Sequence, residues 1–188
     1  MSDETFEYRG VELPYLTHLY NITYLTERRV EVPIATHWLR DRGQQRGLEV
    51  GNVLGHYEQR YHDVADRDEP QAWYQEQDYM NVDLFDLATN VPYDYYDWIV
   101  SLSTIEHTIN PLRAIEILRY FAPAGLITFP TGVSGALDTW IQSDISALFS
   151  VVTLVRTVPG EWAQSASPQI EPYGPWANAV AFLEWNRS

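Results

Sequence analysis

RGLEVGNVLGHY, residues 46–57, begins as a strand and ends as a loop. Leu48 and Val50 are apolar, Glu49 between them is acidic, and Gly51 and Gly55 bracket three residues. A short alternating run that stops at glycine marks a strand delivering the chain into a turn. In an open parallel sheet such turns stand at the carboxyl ends of strands, where ligands bind. The fold therefore depends on whether strands and helices alternate around this stretch.

Downstream they do. Strands are expected at GLEVG, at YHDVAD, within YMNVDLFDL and at DWIVSLS, the last apolar enough to be buried on both faces. NPLRAIEILRYFAPAG follows as a helix, with Asn110 as N-cap, Pro111 in the first turn and an apolar stripe of Leu112, Ile115 and Leu118. GLITFP is a fifth strand, ALDTWIQSDISALF an amphipathic helix, and SVVTLVRTV and AVAFLEW are two final strands. This alternation predicts an α/β fold: a mostly parallel seven-stranded sheet with helices on both faces and a C-terminal antiparallel hairpin. Upstream, Val30, Ile34 and Trp38 recur at helical spacing, Pro33 predicts a break, and Gly43 a stop. The chain divides accordingly into a helical segment, 1–45, and an α/β domain, 46–188. The long connection before the last strand carries Trp162, Tyr173 and Trp176, which can line a pocket or cap the core.

Composition excludes several functions. The 188 residues suffice for one full core, and 45% are apolar, which rules out disorder. No apolar run approaches the ~20 residues that cross a bilayer, and the acidic start MSDETFEYRG is unlike a signal peptide, so a cytoplasmic protein without a membrane partner is expected. Without cysteine there are no disulfides and no thiolate chemistry, and the five histidines show no metal-ligand spacing. Net charge is −14 and every basic residue is arginine, scattered without a patch; such a field repels phosphate backbones and argues against nucleic acid. The lysine-free acidic surface suits a salt-adapted, halophilic cytoplasm, and an arginine-biased genome would give the same composition.

Polar groups from five strand ends converge on one crevice in such a sheet: Glu49, Gly51, Asn52 and Gly55; Asp66 and Arg67; Asp83; Ser101, Glu106 and His107; and Pro130 to Gly132. A carboxylate at the end of the second strand, Asp66, suits the two hydroxyls of a ribose, and equally a solvated loop. The loop lacks G-x-G-x-x-G, and Glu49 is a poor neighbour for a pyrophosphate. A cationic nucleoside without phosphate fits better, which describes S-adenosylmethionine.

With those residues in place, the chain resembles class I adenosylmethionine-dependent methyltransferases, which are Rossmann-like. LEVGNVLGHY, HDVADRDE, YDWIVSLSTIEH and LRYFAPAGLITFPTG resemble four successive motifs of that family, over residues 20–138. More narrowly, the chain is similar to small bacterial and archaeal methyltransferase-like proteins that often occur beside glycan-building genes. The resemblance implies that Glu49 serves the methionine ammonium through water or the loop backbone, and that Gly51, Asn52 and Gly55 let the backbone approach the ligand. It implies further that Asp66, with Arg67 beside it, meets the ribose, that Asp83 and Leu84 flank the adenine, and that Ser101 and Leu102 lie beneath the methionine. His107, then Glu106, are the expected general bases for methyl transfer to a hydroxyl of a small-molecule or glycan acceptor. Val53 departs from the family pattern, so any left-handed residue must be Gly51, Asn52 or Gly55. That departure, with a first crossover of about eleven residues, leaves open a non-catalytic binding or scaffold subunit; a nicotinamide oxidoreductase is opposed by the loop. Tyr20, Glu27 and Arg28 can fold over the site as a lid or simply pack on the sheet edge.

Overall fold

A computed structural model describes residues 4–42, 45–57, 62–68, 79–89, 91–145, 147–158 and 161–187, and only the backbone of Asn21 and Tyr24. Strands β1 (Thr5–Tyr8) and β2 (Val11–Pro14) precede helix α1 (Arg28–Leu39), and β3 (Gly47–Val50), β4 (Asp63–Ala65) and β5 (Tyr79–Met80) follow. Next come α2 (Leu84–Leu87), β6 (Trp98–Leu102), α3 (Pro111–Phe121), β7 (Ala124–Pro130) and α4 (Gly135–Ile141). Strands β8 (Ser150–Val158), β9 (Glu161–Ser165) and β10 (Ala179–Asn186) end the chain. The main sheet has eight strands in the order β5-β4-β3-β6-β7-β10-β8-β9. Its first five are mutually parallel, and β10 runs antiparallel to both β7 and β8.

All seven expected strands are in this sheet. The eighth, β9, lies in the long connection and pairs outside β8, so the hairpin in chain order is β8–β9 and β10 inserts beside β7. Period-2 alternation divides the core between the two faces. Ile99, Ile127, Phe129, Ala181 and Leu183 pack under α3 and α4, whereas Trp98, Val100, Leu102, Leu126 and Phe182 pack under α1 and the first hairpin. Asn110 Oδ1 caps α3 by accepting from Arg113 N at 3.1 Å. The helix expected over ALDTWIQSDISALF stops at Ile141; Ser143 Oγ donates to Trp140 O, a side-chain bond that competes with the helical ladder.

Residues 4–42 differ from the helical lead-in expected over the first 45, and the stop expected at Gly43 lies outside the described residues. Residues 5–14 form a hairpin whose two-residue turn places Arg9 at φ 51° and Gly10 at φ 75°, a geometry that matches strand twist. Phe6, Tyr8 and Leu13 bury themselves on the α1 side of the sheet. Pro33 does not interrupt α1. Proline frees the carbonyl four residues earlier, and here that carbonyl, Arg29 O, accepts from Leu16 N at 3.0 Å. The imperfection in the helix is thus what fastens the incoming chain to it.

Strand order reverses between β3 and β6: from β3 the sheet grows outward through β4 and β5, and from β6 the other way. The crevice beyond the carboxyl ends of these strands is where such sheets bind ligands.

Candidate functional site

The loop after β3 is held from beneath. Glu49 is fully buried, and its Oε1 accepts from Val53 N at 2.8 Å and Leu54 N at 2.7 Å. Its Oε2 lies 2.8 Å from His62 Nε2, the ring of which packs edge-on against Trp98. Gly51, at φ 81°, takes the left-handed conformation that a β-branched residue could not, and its N donates to Ala65 O at 2.9 Å. Among the described loop residues Asn52, Val53 and Gly55 all keep negative φ. Val53 and Leu54 turn their side chains into the α1-side core, so a glycine at 53 would lose packing there. Gly55 backs onto Asn52, whose Oδ1 a Cβ would approach to 2.2 Å. Only one turn of helix, Leu54–Tyr57, is described in the crossover to β4.

The ends of β4 and β5 add three charged groups. Asp66 Oδ2 accepts from Asn52 N and Oδ1 from Asp68 N, both at 2.8 Å. Each oxygen keeps a further lone pair for a ligand. Arg67 bridges Asp68 at 3.0 Å and Asp83 at 3.1 Å. Asp83 Oδ1 also caps α2 through Phe85 N at 2.9 Å.

Beyond β6 the chain turns sharply. Ser103 adopts φ 40°, with its N donating to Thr128 O at 3.0 Å and its Oγ to Glu31 Oε1 at 2.6 Å. Glu31, fully buried on α1, also accepts from Thr128 Oγ1 and pairs with Arg28. Glu106 follows in a short helical turn, buried, with neither carboxylate oxygen hydrogen-bonded among the described residues. Burial pushes its carboxyl up to about 8, its own backbone amide and Arg28 opposing the rise and Glu31 and Glu27 adding to it. Burial raises Glu27 as well, again with Glu31 reinforcing it. For Arg28 burial acts to lower the pKa, but Glu31 and Glu27 outweigh it and the guanidinium is held above its usual range. Glu27, Arg28, Ser103, Glu106, His107 and Tyr173 line a cavity of about 230 Å³.

No protein-family model matches the chain, and no curated protein matches it. Solved structures do. A SAM-dependent methyltransferase from Archaeoglobus fulgidus superposes with a TM-score of 0.53 at 13% identity, over 81% of this chain and 93% of its own. The plantazolicin methyltransferase BpumL, solved with a triazolic desmethylPZN analogue and SAH, gives 0.50 at 12% identity, over 81% of each chain. The DszA carbon methyltransferase gives 0.50 at 13% identity, over 84% of this chain and 53% of its own. The fold is that of class I adenosylmethionine-dependent methyltransferases.

Within this methyltransferase fold, the expected residues separate into two groups. Asn52, Asp66, Arg67 and Asp83 come together through the contacts above, with Gly51 and Gly55 setting the loop that joins them. Ser101 and Leu102 are fully buried, Ser101 Oγ donating to Val50 O at 2.8 Å, so their side chains tie the sheet together. Leu84 is likewise a core residue. His107 is exposed, its Nε2 3.6 Å from Glu106 Oε1 and beyond hydrogen-bond reach. Of the aromatic residues in the last connection, Trp162 is in the core and Tyr173 lines the cavity. Tyr20 stacks on His56 at 4.5 Å, which lays the segment before α1 across the turn that follows the glycine loop.

Sequence reasoning missed His62, Glu31 and Thr128. Glu31 had a signal: it shares the face of α1 with Glu27, Ile34 and Trp38, where an acid on an apolar stripe asks for a partner. His62 and Thr128 had none, since each acquires its role from a residue distant in the chain.

Proposed function

We propose that this chain transfers a methyl group from S-adenosylmethionine to a small-molecule or glycan acceptor. The observation that carries the proposal is the acid-held glycine loop at the switch point, continuous through Asn52 N with Asp66. The chemistry of the donor set fits the ligand. Asp66 and Asp83 offer free lone pairs to hydroxyls and an exocyclic amine, and Asn52 Nδ2 is buried in the loop without a partner among the described residues. Arg67, the basic side chain described among these groups, is already shared by two carboxylates. A cation is therefore preferred to a phosphate. When bound, the sulfonium supplies an activated methyl group. Glu49 and His62 act at one remove, holding Val53 N and Leu54 N so that the loop backbone is in place before the ligand arrives.

On the acceptor side the protein must align a nucleophile, exclude water and take a proton, and alignment alone can supply several kcal/mol of the barrier. Glu106 is the better-placed base, buried in the cavity wall, with His107 at the exposed end. The hydroxyl acceptor expected from sequence and an amine make the same demand on that base; they differ in charge. A net charge of −14 opposes a nucleic-acid partner. Among the described residues no helix is long and apolar enough to cross a membrane. We take the protein to act in the cytoplasm.

The test is binding followed by turnover. Adenosylhomocysteine at about 100 times its Kd should stabilise the fold by ~2.7 kcal/mol, a rise of several degrees in Tm, and Asp66→Ala should abolish the shift. Labelled methyl transfer to a metabolite or sugar pool then separates an enzyme from a binding subunit. No shift at millimolar ligand would sink the proposal, and a shift without turnover would make the chain a scaffold or sensor.

A further inference from the structure

Three carboxylates, Glu27, Glu31 and Glu106, gather where α1 begins and β6 ends, and they are not equally satisfied. Glu31 has Arg28, Ser103 and Thr128. Glu106 has only His107 Nε2 nearby, at 3.6 Å: its side chain is 1% exposed, and among the described residues both oxygens are without a hydrogen-bond partner. A buried carboxylate left unpaired costs the fold several kcal/mol, and proteins retain one chiefly where something else completes it.

We propose that this cavity binds the ammonium group of a small apolar amine, and that the amine nitrogen is the methyl acceptor. The inference rests on the methyl-transfer reading and names its substrate class. The charges select a cation. Arg28 is paired with Glu31, and Arg156, on the Glu27 side, donates to Leu25 O at 2.8 Å, so neither hydrogen-bonds Glu106, although Arg28 shares its wall. Among the described residues no three carboxylate or imidazole groups are placed to hold a metal ion, so the cation is organic. A neutral hydroxyl would offer Glu106 a hydrogen bond but no charge to draw off its proton, and would leave the carboxyl protonated. The rest of the wall suits a hydrocarbon. Pro130, Val133 and Tyr173 line it, the last two partly exposed at 39% and 45% where an apolar body would enter. The volume, roughly that of eight waters, accommodates a ring and a short arm.

The chemistry closes. Glu106 carboxylate takes one proton from the ammonium, and the freed nitrogen lone pair forms the N–C bond. The C–S bond of the sulfonium breaks with its electron pair remaining on sulfur, and the product leaves as a methylated ammonium. The groups facing this exchange are Glu27, Arg28 and Glu31 from α1 and the residue before it, Arg156 from β8, His107 from the turn after β6, and Tyr173 from the last connection.

Benzylamine and benzyl alcohol, nearly identical in shape, separate charge from fit. Each is titrated calorimetrically into the full chain saturated with adenosylhomocysteine near pH 7, in buffers of different ionisation enthalpy. The amine should bind at least tenfold more tightly, with release of protons as Glu106 ionises, and the alcohol should release none. Glu106→Gln should remove the proton release and the amine preference while leaving adenosylhomocysteine binding intact; should that variant not fold, the wild-type comparison decides. Amine and alcohol bound alike, or neither bound, would overturn the amine site and leave methyl transfer standing. A preference for the amine in a chain that binds no adenosylhomocysteine would retain the cationic site and refute methyl transfer, and with it the nitrogen as acceptor.

Discussion

Replacing Glu106 by glutamine should change how stability depends on pH, and the direction follows from where the proton sits. The carboxyl titrates at about 8 in the folded chain against an ordinary 4.5. Below the lower value it is protonated in both states and ionisation costs nothing. Between the two values the unfolded chain has released its proton while the folded chain keeps it, so stability falls as pH rises. Above the upper value both are ionised and the loss is complete, at most ~5 kcal/mol. So acidic a chain loses its net charge and its solubility at the acid end, which sets the usable range at about pH 5.5 to 8.5. Over that range the same relation gives a loss of ~3 kcal/mol for the wild type, absent in Glu106→Gln. Acids remote from Glu106 contribute equally to both proteins and cancel in the difference, whereas the repulsion from Glu27 and Glu31 is part of what the variant removes. The amide has nearly the shape of the protonated acid and leaves comparable polar atoms unpaired, so the two proteins should agree within ~1–2 kcal/mol at the acid end. Urea unfolding followed by tryptophan fluorescence at several pH values reads the difference directly. A gap between the two proteins that does not widen with pH would refute the reasoning, because it would mean that Glu106 ionises in the folded chain as readily as in water.

Other perturbations test the supports of the site. Gly51→Ala should cost ~2–4 kcal/mol in chemical denaturation: φ is 81°, and a Cβ would lie 2.1 Å from Thr104 Oγ1, itself fixed to Leu102 O. A loss under ~1 kcal/mol would show that the loop relaxes freely. Glu31→Gln strands Arg28 without its buried counter-ion and should lower stability by ~3–5 kcal/mol, read as a fall in Tm; an unchanged Tm would mean that Glu27 replaces it. His62→Ala leaves Glu49 Oε2 unpaired and should cost ~1–3 kcal/mol, together with weaker adenosylhomocysteine binding, measured by titration. Full affinity in that variant would separate the acid clamp from the ligand loop.

How far the sequence could be read depended on the range of the interaction involved. The strand GLEV and the helix from Pro111 declare themselves through a periodicity confined to a few residues, and both lie where expected. The hairpin at residues 5–14 did not, because Arg9-Gly10 is a weak turn signal and its strands are stabilised by packing on distant β9 and β10. Pro33 pointed to a helix break; Leu16 N supplies the carbonyl's partner, and no local rule anticipates a donor from another segment. The position of Val53 was constrained correctly, since a β-branched residue excludes positive φ whatever surrounds it. That its side chain fills the core beneath α1 is a fact of packing.

The same division holds at the site. Local chemistry determined that an acid, two spaced glycines and successive strand-end aspartates stand along one edge of a parallel sheet, because turn geometry and strand direction are written in adjacent residues. Which of its acids are satisfied was decided only on folding. Glu31 finds Ser103 72 positions away and Thr128 97 away, whereas Glu106, next to a histidine in the chain, finds no hydrogen-bond partner among the described residues. Pairing of a buried charge is a property of the cavity around it, and that cavity is assembled from α1, the turn after β6 and the last connection together.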